Sequence, residues 1–210
     1  MKDSPQRGFT LIELLIVVAI IAMLAAIAVP NFLEAQTRAK VSRAKSDMAS
    51  IAAALESYRA DNTASPTMIE PGFPGGAPVL KGSNLKWWYT PNALSTPVAY
   101  IASSDILCPF NGNWDKEPYF PDGIWKRYGY ENIKELIACR ADYPVLANRY
   151  RDAALAWSGE WRINSVGPDK IWNPSRLYDP SNGTISEGDI IRTQRCPGGN
   201  INPDNLTQPL

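Results

Sequence analysis

From position 9 to position 33 the chain is apolar or small, and Glu13 is its only ionisable residue. Roughly 25 residues at 1.5 Å each form a helix of about 38 Å, enough to cross a ~30 Å hydrocarbon layer. An acid inside such a span costs on the order of 2.5–3.5 kcal/mol at the centre, so Glu13 is expected to have a partner. Beyond the span the pattern changes while the helical period continues. Val41, Ala44, Met48, Ile51, Leu55 and Tyr58 recur at steps of three and four, which is one face of a helix. Lys40, Arg43, Ser46, Asp47, Ser50 and Ser57 fall largely off that stripe, so this half is amphipathic and predicts packing on a core. One helix from Phe9 to about Arg59 would span roughly 75 Å, with half of it outside any globular body. Pro30 predicts a kink or local melting, because proline lacks the N–H and crowds the preceding turn.

Past Asn62 a cluster of Pro66, Pro71, Gly72, Pro74, Gly75, Gly76 and Pro78 ends the helix. Residues 85–102 interleave aromatic and small residues, a pattern that fits short strands or an ordered loop. Tyr128-Gly129-Tyr130 begins a strand, and residues 131–156 carry helical spacing that predicts a helical insertion. Trp161-Arg162-Ile163-Asn164-Ser165-Val166 alternates large apolar and polar residues up to the breaker Gly167-Pro168, the clearest strand in the chain. The tail from Pro197 is rich in Asn, Pro and Gly and is expected to be ordered only where it is tied down. The expected fold is α+β: a long N-terminal α-helix, transmembrane half plus amphipathic half, packed on a small antiparallel β-sheet with many loops. Its divisions are a leader at 1–8, a spanning helix half at 9–33, an amphipathic half at 34–60 and a globular body at 61–210.

Composition narrows the function. The 21 Lys and Arg balance the 21 Asp and Glu, and no basic stripe with interleaved aromatics argues for nucleic acid. Histidine is absent, which removes the commonest general base and zinc ligand, and no phosphate-cradling glycine loop is present. The chain is read as a non-enzyme. Cys108, Cys139 and Cys196 are too far apart for CxxC chemistry, and any one pairing or three thiols are consistent with their spacing. Ala26-Ile27-Ala28 fits a secretory cleavage site, but Glu13 inside the apolar stretch and the helical pattern running past residue 28 argue against a conventional signal peptide.

At Gly8-Phe9-Thr10-Leu11-Ile12-Glu13 the sequence resembles the class III leader and N-terminal helix of type IV pilins and type II secretion pseudopilins. The resemblance implies a pilin-like fold, a prepilin peptidase cut after Gly8, and methylation of the new Phe9 amine. It further implies that Glu13 pairs with the Phe9 amine of a neighbouring copy as the helical filament assembles, driven by a platform protein and an ATPase. The chain would be a single-pass inner-membrane protein with a periplasmic body, its filament lying in the periplasm or at the cell surface. Arg38, Lys40, Arg43 and Lys45 beyond the exit run against the positive-inside rule, with Glu34 and Asp47 placed to offset them.

Leu107-Cys108-Pro109-Phe110, Tyr128-Gly129-Tyr130, Ile163-Asn164-Ser165-Val166-Gly167-Pro168-Asp169 and Asp189-Ile190 are similar to ordered landmarks of the G-type major pseudopilin. That resemblance implies calcium, with Asp169 and Asp189 as side-chain ligands, the Val166 carbonyl as a backbone ligand, and Asp179 and Ser186 as additions. The chain departs from the pattern in having Cys108 before the proline and a longer stretch from Asp169 to Asp189. The alternative reading is a membrane-tethered binding module for carbohydrate or protein. Its contact residues would be drawn from Trp87, Trp88, Trp114, Trp125, Trp157, Trp161 and Trp172, most of which are expected to fill the core.

Overall fold

The computed structural model describes residues 9–67, 90–110, 127–135, 155–171, 176–183 and 185–197. One α-helix, α1 (Leu11–Asn62), accounts for 52 of these residues. It runs without interruption through Pro30. The local melting expected there does not occur, since a single proline removes one backbone donor while the bonds on either side still form. At the far end Thr63 turns left-handed at φ 58° and the Asn62 Nδ2 donates to the Tyr58 carbonyl at 2.9 Å, satisfying one of the orphan acceptors of the last turn.

The two halves of α1 differ as the pattern predicts. Residues 11–33 are exposed throughout, whereas Val41, Ala44, Met48, Ile51, Ala54 and Leu55 are buried. They pack on a three-stranded antiparallel sheet in the order β1 (Gly129–Asn132), β2 (Trp161–Ser165), β3 (Ile190–Thr193). Tyr130 sits opposite Ile163, and Ser165 opposite Ile190. Trp161, Ile163, Tyr130 and Ile190 form one core with the helix stripe, joined by Leu94, Phe110 and Tyr128. Along the other parity Arg162 lies directly across from Glu131 and donates to it at 2.8 Å. Every residue of β2 is buried, because it is the central strand.

Of the stretch 85–102, residues 85–89 lie outside the described residues; from 90 to 110 the structure takes the loop option, where a 3-10 turn, Asn92–Leu94, drops Leu94 into the core and, among the described residues, a single bridge pairs Leu107 with Arg127. Of the helical insertion expected over 131–156, Glu131 and Asn132 are instead the end of β1, drawn into the sheet by pairing with Arg162 and Trp161; residues 133–135 and 155–158 are helical, and 136–154 lie outside the described residues.

The sheet has a fixed orientation along α1. The first residue of β2 reaches the far end of the helix, where Trp161 Nε1 donates to Glu56 Oε1 at 2.7 Å. Gln194, just after β3, also donates to that carboxylate at 3.0 Å. Opposite contacts mark the other end: Tyr128, beside the start of β1, donates to Asp47 Oδ2 at 2.9 Å, and the Tyr178 ring stands 5.5 Å from Lys45 Nζ. The loop between β2 and β3 therefore lies at the end of the body nearest the bare half of α1.

Candidate functional site

The N-terminus of α1 is built as a capping box. Thr10 is extended, and its hydroxyl accepts from the Glu13 N–H at 3.3 Å. Glu13 Oε2 in return accepts from the Thr10 N–H at 2.9 Å and from the Thr10 hydroxyl at 2.8 Å. The acid thus has a partner within its own chain, and it sits where helix geometry leaves backbone donors unsatisfied. The sequence signal for this box is Thr10-x-x-Glu13 ahead of an apolar run, which the expectation of an ionic partner for Glu13 did not include. Phe9 is exposed immediately before the box, and Gly8 lies outside the described residues. Beyond the box, Leu11, Ile12, Leu14, Leu15 and the apolar side chains as far as Leu33 are exposed, a surface that water does not favour. The helix is long and apolar enough to cross a membrane.

Past that segment, Arg38 pairs with Glu34, and Arg43 Nε stands 3.6 Å from Asp47 Oδ2. Two of the four basic residues are therefore offset locally. The far end of α1 is locked to the body through Glu160, which receives Arg59 Nε at 2.9 Å and Lys134 Nζ at 2.5 Å. Burial alone would raise the Glu160 pKa, but the hydrogen bonds from Lys134 and Arg59 outweigh it and hold the carboxyl below the usual range.

Asp169 accepts from the Ile171 N–H at 3.1 Å, and Asp179 caps a 3-10 turn, Pro180–Asn182, by accepting from the Ser181 N–H at 2.8 Å and its hydroxyl at 2.7 Å. Ser186 Oγ accepts from the Asp179 N–H at 2.9 Å. Asp189 is wholly buried, its backbone tied to Arg176 and Tyr178, and Val166 lies beside the Gly167 turn. Among the described residues no three Asp, Glu or Cys side chains come close enough to hold a metal.

The other expectations divide. Cys108 is buried with Sγ 2.9 Å from Ser165 Oγ, while Cys196 is half-buried and its Sγ donates to the Trp157 carbonyl at 3.6 Å. These two are not bridged to each other, and Cys139 lies outside the described residues. Trp161 belongs to the core and Trp157 is 41% exposed; the other five tryptophans lie outside the described residues.

Comparison with known proteins places these features. The family described as the prokaryotic N-terminal methylation motif matches residues 3–29. Over 67 residues, 32% of this chain and 47% of the relative, the sequence is 48% identical to the type II secretion system core protein G of Pseudomonas aeruginosa. Over 52 residues it is 58% identical to the type IV major pilin protein PilA of Myxococcus xanthus, covering 25% of this chain and 24% of that one. A core protein G of Klebsiella michiganensis matches at 37% over 67 residues, 32% of this chain and 47% of its own. The chain thus spans about half the length, or less, of these curated relatives. No solved structure matches. Residues 3–29 are thus similar to the N-terminal methylation motif, and the chain shares a quarter to a third of its length with type II secretion core proteins G and a type IV major pilin, on an α+β, pilin-like fold.

Proposed function

We propose that the chain is a non-enzymatic structural subunit of a type II secretion pseudopilus or a related type IV pilus-like filament. The observation that carries this reading is the capping box at the methylation motif, set at the head of a helix whose first half no described part of the body covers. In the membrane that half is solvated by lipid; in a filament it is covered by the same half of other copies. Prepilin peptidase removes residues 1–8, and the freed amine of Phe9 is methylated. The carboxylate of Glu13 then exchanges its Thr10 donors, wholly or in part, for the amine of a neighbouring copy. A buried carboxylate facing an ammonium is largely neutralised, whereas one facing lipid is not. The body faces the periplasm, and a platform protein and an ATPase drive extraction from the membrane.

The test is Glu13→Ala in cells that carry the assembly machinery. Leader removal should proceed and filaments should fail to form. Normal filaments from this variant would overturn the role given to Glu13.

A further inference from the structure

The loop between β2 and β3 carries the 3-10 turn Pro180–Asn182, and the residue after it is Gly183. Asn182 is exposed, and among the described asparagines it alone precedes a glycine. Other asparagines have their amides engaged. Asn62 Nδ2 donates to the Tyr58 carbonyl at 2.9 Å, Asn92 Oδ1 accepts from Arg127 at 2.8 Å, and Asn132 Oδ1 accepts from the Lys134 N–H at 3.1 Å. The Asn182 side chain makes no hydrogen bond to a described residue, since the capping carboxylate of Asp179 is taken up by the Ser181 hydroxyl and by main-chain N–H groups.

An asparagine Cγ lies one five-membered ring away from the amide nitrogen of the next residue. Once that nitrogen gives its proton to hydroxide it attacks Cγ: the N–Cγ bond forms, the Cγ–Nδ2 bond breaks, and ammonia leaves with a proton from water. Water then opens the cyclic imide at either carbonyl, giving aspartate or isoaspartate. The balance is one water consumed and one ammonia released, with no oxidant or reductant. Two things ordinarily slow the ring closure, a bulky next side chain and a backbone held by hydrogen bonds. Gly183 brings no Cβ to the closing ring and tolerates a wide range of backbone angles. The turn is a weak restraint, because i→i+3 bonds have poorer geometry than those of an α-helix. The bond that closes it, from the Asn182 N–H to the Asp179 carbonyl, is 3.3 Å long, and the Gly183 N–H makes no hydrogen bond to a described residue.

We propose that Asn182-Gly183 is a site of spontaneous deamidation in the folded protein, where Asn182 becomes aspartate or isoaspartate. Either product adds a carboxylate to a turn that already holds Asp179, in a chain whose formal charges otherwise cancel. Isoaspartate also routes the main chain through Cβ. The carbonyl that now accepts from the Ile185 N–H at 3.1 Å then becomes the free carboxylate, and the turn lengthens by one methylene. This change falls beside Tyr178, whose hydroxyl donates to the Gly183 carbonyl at 3.4 Å and whose ring stands over Lys45, so it loosens the loop where it packs on α1.

The full-length chain, folded in detergent micelles, is incubated in mildly alkaline buffer, digested with trypsin and read by mass spectrometry. Cleavage after Arg176 and Arg192 releases residues 177–192, in which Asn182 is the only amide side chain. Cleavage after Arg59 and Lys81 releases residues 60–81, in which Asn62 is the only one. A second Asn-Gly pair, Asn111-Gly112, lies outside the described residues and in neither peptide. The mass change from amide to acid should appear at Asn182 at least about fivefold faster than at Asn62, with isoaspartate as the main product. The rate in the folded chain should be no more than about tenfold below that of the free 177–192 peptide, since the turn restrains it weakly. A smaller ratio over Asn62 would overturn the site, and stronger slowing relative to the peptide would overturn its openness in the fold.

Discussion

Glu13 Oε2 accepts two hydrogen bonds from Thr10, one from its N–H at 2.9 Å and one from its hydroxyl at 2.8 Å, while the Thr10 hydroxyl accepts from the Glu13 N–H. The acid in the apolar run is thus satisfied within its own chain.

Thr10→Val removes the hydroxyl that both accepts from the helix and donates to Glu13. It should weaken the first turn by about 1 kcal/mol, the usual worth of an N-cap. Hydrogen exchange of the chain in detergent micelles reads this directly. The amides of residues 12–14 should exchange several-fold faster, while those of residues 48–55 stay unchanged.

Glu160 ties α1 to the turn after β1 and to the start of β2. Glu160→Gln should lower stability by about 1–2 kcal/mol, since bonds to Arg59 and Lys134 become bonds to a neutral amide. Because the folded pKa is depressed, the stabilisation is fully present above the ordinary glutamate value of about 4.3 and is lost as pH falls through the lower folded value. Denaturant unfolding at pH 7 and at pH 3 should show a gap between wild type and variant at the first pH that narrows at the second.

Tyr128 hydroxyl donates to Asp47, and burial pushes the Tyr128 pKa above its ordinary range, so the phenol stays protonated wherever the protein is folded. Tyr128→Phe should cost about 1–2 kcal/mol, by leaving Asp47 with only its longer contact to Arg43. The difference should hold across pH 6–9 in thermal unfolding.

Gly167 has φ +70°, and a Cβ there would stand 2.4 Å from the Gly188 carbonyl oxygen. Gly167→Ala combines backbone strain with a clash against main chain that cannot swing away, and should cost about 2–4 kcal/mol. Circular dichroism melts would report it, together with faster exchange in residues 188–193.

If Asp169, Asp189 and the Val166 carbonyl hold calcium as the resemblance implies, the ion should raise the melting temperature of the full-length chain. No rise, together with no heat on calorimetric titration, would overturn that expectation.

The landmark residues show why some features were legible and others were not. The spacing of Val41, Ala44, Met48, Ile51 and Leu55 named the buried face of α1, since a helix repeats its face every three to four residues whatever it packs against. Trp161–Ser165 was legible as a strand for the same local reason. Asp189 was not legible as a buried residue, because only its pairing with Leu177 and the adjoining strand removes it from water.

The sequence by itself determined the span, the amphipathic continuation, the capping box and the α+β class, all consequences of periodicity and short-range hydrogen bonding. Tertiary structure decided what depends on residues far apart in the chain. Glu160 joins Arg59 to Lys134, Glu56 receives both Trp161 and Gln194, and Ile190 to Thr193 complete the sheet against β2. It also decided that the loop between β2 and β3 faces the bare half of α1, because β2 runs from Glu56 toward Lys45 and the loop must leave from its end. No local pattern encodes that direction; it follows from which side chains meet when the sheet closes on the helix.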